Sequence, residues 1–309
     1  MLALSLFCVL AVPIGIFAVP TPVPEDAFSL AKRAVCGSTA GINPLPIHSH
    51  NDYTRNVALC DALANSASSI EADLWWRDNT LFVAHFEFER DSRRTLQSLY
   101  VEPLLALLNA ANPGGVKPGV RPKGLWPSSP NTALQLLIEP KSDGNAAFPA
   151  IVAALKPLAD AGYLTSFSNG VLTPSAITVV GTGNTPLARV QSQNPRTFFF
   201  DAPLTALAPG SNTHFTSTLS PLASADYMSV VGWLGIGSLS ADKKATIRRL
   251  VGDAHARGIK VRFWGSPGRI LGINGPMKAV WKELLDAGVD WMNVDNLTTA
   301  RDYYLDYKK

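Results

Sequence analysis

The chain has 309 residues, 47% of them hydrophobic and 17% charged, which gives ample material for a large core and too little charge for a disordered chain. Its formal net charge of +3 is slight, and no dense Lys/Arg run or aromatic-basic interleaving occurs, which argues against a nucleic-acid partner. Length alone suggests two domains, but α/β barrels of this size are routinely one.

In chain order, Leu2 to Val19 is an uncharged apolar run with small Ala18 as a cleavage position, the pattern of a secretory signal peptide over residues 1–18. The basic segment expected before such a run is missing apart from the terminal amine, so an uncleaved membrane anchor is the alternative. From Pro20 the chain is Pro-rich and acidic up to Lys32-Arg33, a dibasic pair that marks residues 19–33 as a propeptide and 34–309 as the folded domain. Removing the first 33 residues takes away Glu25, Asp26, Lys32 and Arg33 and leaves the net charge unchanged. Cys8 leaves with the signal. Cys36 and Cys60 remain, and one pair in an oxidising compartment predicts a disulfide. Asn296-Leu297-Thr298 is a glycosylation sequon.

Short apolar runs then alternate with helical patterns. Strands are expected at 45–50, 69–76 (with a hairpin return at 81–85), 133–141, 176–183, 197–202, 227–233, 260–266 and 289–296. Runs that are apolar throughout indicate strands buried on both faces, hence a parallel sheet. Helices are expected at 57–66, 98–111, 148–161, 240–257 and 275–287, several closing on Gly162, Gly258 or Gly288 as left-handed caps do. The connection around Pro209 to Pro221 is loose, and Pro113 to Pro130 reads as a long insertion. Eight strands with crossovers predict an α/β fold of the single-domain (β/α)8 TIM barrel type.

Barrel sites lie at the C-terminal ends of the strands, and polar or aromatic residues gather there. They are His48 and His50, Glu71 and Asp73, His85, Glu139 and Lys141, Asp201, Trp264, and Asn293 with Asp295. Glu71 and Asp73 are two apart on a strand, so they share a face, with Ile70 and Leu74 opposite. Two adjacent carboxylates in an apolar strand call for a cation, and a hard divalent ion with oxygen ligands answers that need. A polar strand facing water is the bland reading of Glu-x-Asp alone. Trp75 and Trp76 read as packing, and His214 and His255 as structural or solvated.

Taken jointly, His48-x-His50-Asn51-Asp52, Glu71-x-Asp73, His85, Glu139-Pro140-Lys141 and Trp264 resemble the PLC-like phosphodiesterase superfamily. That superfamily includes glycerophosphodiester phosphodiesterases and sphingomyelinase D-like phospholipases. Within it the chain is similar to the fungal branch named for altered inheritance of mitochondria protein 6. The resemblance implies a phosphoric diester hydrolase. It implies Glu71, Asp73 and Glu139 as ligands of Mg²⁺ or Ca²⁺, and His85 with one first-strand histidine as acid and base. Lys141 falls beside the phosphate and Trp264 at the pocket wall. Depth along the strand favours His48 as the working histidine, with His50, Trp264, Asn293 and Asp295 on the substrate. Two departures leave the substrate open: His48-Ser49-His50 stands where a glycerophosphodiesterase has His-Arg-Gly, and the chain has no Asp-Asn-Pro-Trp tail.

The chain is expected to be a secreted monomer whose partner is a small or lipid phosphodiester substrate, with transient contact to a membrane surface. Two other readings stand beside this one. A secreted glycoside hydrolase would use Glu71 and Glu139 as its paired carboxylates, and a non-catalytic barrel would bind lipid head groups.

Overall fold

A computed structural model describes residues 36–309, with the exception of residues 212 and 269. The signal and propeptide segments lie outside the described residues, apart from which the expected order of elements is largely met. Among the described residues eleven strands form: β1 (Leu45–Ser49), β2 (Ala67–Arg77), β3 (Thr80–Val83), β4 (Leu134–Pro140), β5 (Ser166–Ser168), β6 (Val171–Thr173), β7 (Ile177–Gly181), β8 (Phe198–Pro203), β9 (Leu222–Asp226), β10 (Lys260–Trp264) and β11 (Met292–Val294). Eight of them pair in parallel in the order β10-β9-β8-β7-β4-β2-β1-β11. A parallel bridge between Arg262 and Trp291 brings the two end strands together, so the sheet is a nearly closed barrel. β3 folds back antiparallel on the upper part of β2, and β5 with β6 forms a separate hairpin.

Helices cover the outside as the apolar spacing predicts. In chain order they are α1 (Ala58–Ala64), α2 (Glu102–Ala111), α3 (Gly144–Asp160), α4 (Leu187–Gln191), α5 (Tyr227–Val230), α6 (Ala241–His255), α7 (Gly275–Asp286) and α8 (Leu297–Tyr307). α3 begins a turn earlier than expected because the Asp143 side chain accepts from the amides of Asn145 and Ala146, capping it. Its Ala147, Ile151, Leu155 and Leu158 then face the sheet at helical spacing. α8 starts at Asn296, whose side chain accepts from the Thr299 amide, so the sequon asparagine is also a helix cap.

One strand sits elsewhere than expected. Tyr227 to Trp233 is not the sixth barrel strand; Leu222–Asp226 is, and Tyr227 begins a short helical turn. The Asp226 side chain accepts from the Met228 amide and the Ser229 hydroxyl and turns the chain there. Small residues in Leu-Ala-Ser-Ala-Asp hide the strand from any apolar-run reading.

Two apolar layers lie between sheet and helices, one containing Ile70, Ala72 and Leu74 of β2. A third cluster, Leu137, Val180, Phe199, Leu222 and Trp291, plugs the barrel interior. Leu137 shares its strand face with Glu139, Phe199 with Asp201 and Trp291 with Asn293, so the polar residues stand above that plug. The Cys36–Cys60 disulfide is formed and ties the segment before β1 to α1.

Candidate active site

Register places the acidic residues together. β2 pairs with β4 so that Asp73 stands beside Glu139, and alternation puts Glu71 one step below on the same face. Glu71, Asp73 and Glu139 each offer a carboxylate oxygen within 4.8 Å of the others. Lys141 Nζ sits 2.9 Å from Asp73 Oδ2 and 2.9 Å from Glu139 Oε1. Burial works against the Lys141 charge, but Asp73 and Glu139 outweigh it and raise its pKa above the usual lysine value. Gly183 (φ +55) passes so close that a Cβ there would lie 2.5 Å from Glu139 Cγ. The left-handed turn and the close approach both require glycine.

The two histidines that reach the cleft are His50 and His85. His50 Nδ1 lies 2.8 Å from Asp295 Oδ1, and Nε2 lies 3.8 Å from Glu71 Oε2. Burial pulls the His50 pKa down, but Asp295 and Glu71 outweigh it, and the net shift is upward. His85 Nδ1 lies 3.1 Å from the Tyr53 hydroxyl, which donates to Asp73 Oδ2 at 2.7 Å. Each imidazole is thus held by its Nδ1 side, which fixes the ring and leaves Nε2 as the working nitrogen. Both line a cleft of ≈ 860 Å³, open mouth included, together with Glu71, Glu139, Lys141, Arg262 and Trp264.

His48 is placed differently from its expected role. It is wholly buried. Its Nδ1 lies 2.7 Å from Ser69 Oγ, and its Nε2 accepts from Arg262 Nη1 at 3.0 Å. Both ring nitrogens are engaged, and burial together with the Arg262 charge lowers its pKa to about 4. Depth, the ground for choosing His48 over His50, is what walls it in. β1 ends at Ser49 and Asn51 turns left-handed (φ 46), so His50 leaves the strand and swings to the rim.

Arg262 and Tyr53 escape the sequence reading. Arg262 is 2% exposed and spans the barrel. Its Nε donates to Ser224 Oγ at 3.0 Å, and Nη1 also faces Glu71 Oε1 at 3.4 Å and Asn293 Oδ1 at 3.3 Å. Asp201 Oδ2 lies 3.7 Å from Nη2. The signal for Arg262 was present in alternation, since it shares a strand face with Trp264. Tyr53 had no such signal, because it projects from a 3-10 turn (Asp52–Thr54). Trp264 is 42% exposed on the cleft wall. Asn293 and Asp295 lie on the far side of His50, lining an adjoining cavity.

The donor set fits a divalent cation. Asp73 Oδ1 is buried without a hydrogen-bond partner, a costly state for a carboxylate oxygen unless a cation meets it. The acidic oxygens are of the hard type that Mg²⁺ and Ca²⁺ take. Glu71 is held ionised: burial opposes its charge, but His48, His50 and Arg262 keep its pKa well below the usual value.

Comparison with known proteins identifies the family of the chain. Residues 37–201 match the AIM6-like phosphodiesterase domain. A relative from Arthroderma benhamiae, the altered inheritance of mitochondria protein 6 homolog, is 40% identical over 277 residues, covering 86% of each chain. Altered inheritance of mitochondria protein 6 of Lachancea thermotolerans is 34% identical over 84% of this chain and 66% of its own. That of Saccharomyces cerevisiae is 31% identical over 86% and 73%. Among solved structures, a glycerophosphodiester phosphodiesterase from Parabacteroides distasonis matches with a TM-score of 0.45 and 11% identity over 87% of this chain and 99% of that one. The chain belongs to the altered inheritance of mitochondria protein 6 family and carries its phosphodiesterase-like domain.

Proposed function

We propose that this protein is a metal-dependent phosphodiesterase in which His50 and His85 act as the acid/base pair. One observation carries the reading: three carboxylates and Lys141 converge at the floor of a cleft that His50 and His85 flank. The family description as a phosphodiesterase domain supports it.

Glu71, Asp73 and Glu139 would hold Mg²⁺ or Ca²⁺, which when bound supplies positive charge to the phosphoryl oxygens and Lewis acidity. The chain's own residues do the rest. Lys141 offers a further point charge for the phosphoryl oxygens, whose negative charge grows during displacement. One Nε2 accepts the proton of the attacking hydroxyl, from water or from the substrate itself, and the other donates a proton to the departing alkoxide. Asp295 orients His50, and Tyr53, anchored on Asp73, orients His85. Trp264 offers an apolar wall to the ester arm. A paired-carboxylate glycosidase would leave both histidines and Lys141 without a task.

Secretion belongs to the same proposal. The apolar run before Val19 and the Cys36–Cys60 bond support it, since disulfides persist in oxidising compartments.

The test is product analysis by ³¹P NMR on a panel of glycerophosphodiesters and lysophospholipids with purified protein and Mg²⁺ or Ca²⁺. Conversion of at least one diester, lost in His85→Ala, is the expected result. No conversion of any of them contradicts it.

A further inference from the structure

We propose that Asn296 carries an N-linked oligosaccharide, rooted at the edge of the active-site mouth. The inference rests on the secreted reading of the chain, because the sugar is added in secretory compartments.

Asn296-Leu297-Thr298 is the only Asn-x-Ser/Thr sequence in the chain, and the fold presents its asparagine to solvent. Asn296 caps α8, with Oδ1 accepting from the Thr299 amide at 3.0 Å. That donor fixes which end of the side-chain amide is oxygen, so the opposite end is Nδ2. Among the described residues no acceptor takes Nδ2, the atom to which the sugar is joined. Leu297 is 5% exposed and Thr298 Oγ1 donates to Asn65 Oδ1 at 3.1 Å. The two residues that follow are thus committed to the fold, while the Asn296 nitrogen is left to solvent.

The transfer balances without any group of this chain beyond the amide. Asn296 Nδ2 bonds to the anomeric carbon of a lipid-linked oligosaccharyl diphosphate, the host's sugar donor. The sugar–phosphate C–O bond breaks, the lipid diphosphate leaves with its electron pair, and Nδ2 gives up one proton. The linkage is still an amide, so Oδ1 goes on capping α8 after the sugar is attached.

The position places the sugar beside the catalytic face. Asp295, the preceding residue, holds His50 Nδ1 at 2.8 Å, and its carbonyl accepts from Arg55 Nη2 at 2.6 Å. The backbone is therefore pinned at the site immediately before the sequon. An N-linked sugar is bulky and strongly hydrated, and rooted here it adds that bulk on the His50 side of the opening.

The experiment is intact-mass spectrometry of the full chain, expressed from Met1 in a eukaryotic secretory host, with medium and cell lysate compared before and after peptide N-glycosidase. The protein in the medium should show a ladder of hexose increments that the glycosidase removes, and peptide mapping should find Asn296 converted to aspartate. Thr298→Ser, which keeps the sequon, should retain the ladder; Thr298→Ala and Asn296→Asp should lose it. Thr298→Ala also loses the bond to Asn65, so Asn296→Asp, which keeps a capping oxygen, decides if the alanine variant fails to fold. A secreted chain of bare polypeptide mass overturns the proposal and leaves the secreted reading standing. A ladder that persists in Asn296→Asp overturns it as well. An unmodified chain retained in the cytosol overturns both.

Discussion

Arg262 Nη1 lies 3.0 Å from His48 Nε2, and a guanidinium can only donate, so His48 is fixed as the tautomer whose Nδ1–H points to Ser69 Oγ. Ser69 Oγ in turn accepts from Gln135 Nε2 at 2.8 Å. The first histidine of the motif is thereby a strut of the barrel interior, and the second is the one that meets the cleft.

Substitutions separate the two roles. His48→Ala strands a buried Arg262 donor and should cost about 1–3 kcal/mol of stability. His48→Gln, which keeps an acceptor for Arg262, should retain kcat within about tenfold, while His50→Ala and His85→Ala each lower it by about 100-fold or more. Thermal melts and steady-state rates on one accepted diester check this. A stable His48→Gln with a 100-fold loss, by the same yardstick, would return the acid/base role to His48.

Two buried groups beneath the site carry opposite pH dependence. His48 is lowered from 6.5 to about 4 by burial and Arg262, so the unfolded chain takes the proton first. Its contribution is complete above about 6.5 and is lost as the pH falls toward about 4. Asp52 is raised from 3.8 to about 6 by burial, so the folded chain takes the proton first and stability is regained as the pH falls from about 6 to 3.8. The two should nearly cancel. Urea melts should show Asp52→Asn losing stability between pH 6.5 and 4 more steeply than the unsubstituted chain. His48→Gln should gain stability over the same interval. Parallel pH curves for all three would refute the assignment.

The Cys36–Cys60 bond spans 24 residues of sequence. A crosslink closing a loop of that size contributes about 3 kcal/mol in the chain-entropy model. Cys60→Ser should lower Tm by roughly 6–12 °C for a chain of this size. An unchanged Tm would mean that the N-terminal segment before β1 does not take part in the cooperative unit.

Gly183 tests whether the cluster depends on backbone approach. Gly183→Ala meets both the left-handed φ and the Glu139 side chain, whereas Gly170→Ala meets only the left-handed φ, with open space around its Cβ. Both should cost about 1 kcal/mol of stability from backbone strain. Only Gly183→Ala should weaken divalent-cation binding, by about tenfold or more on calorimetry. Equal cation affinity in the two variants would detach Glu139 from the metal.

The parts of the site that were legible in the sequence lie on strands or within two residues of their ends, as Lys141 does past β4 and His85 past β3. Alternation put Glu71 with Asp73 on one face of their strand, because a strand fixes side-chain direction residue by residue. The strand run β4 and the hairpin return to His85 were legible for the same reason. Legibility failed where the chain leaves the strand. His50 lies past the end of β1, next to a left-handed Asn51, so depth along the strand did not decide between it and His48. Tyr53 enters from a 3-10 turn, and Asp226 ends a strand of small residues that has no apolar signature. Arg262 was readable in principle from its spacing to Trp264. Inside the barrel Ser224, Glu71, Asn293 and Asp201 receive it.

The cation tests the central claim most directly. Purified protein would be assayed on one accepted phosphodiester after EDTA treatment and again after Mg²⁺ or Ca²⁺ is restored, with Glu71→Gln and Asp73→Asn beside it. Activity should vanish in chelator and return with the ion, while both variants stay inactive at all cation concentrations that saturate the unsubstituted protein. Full activity in EDTA, or in either variant, would contradict the account.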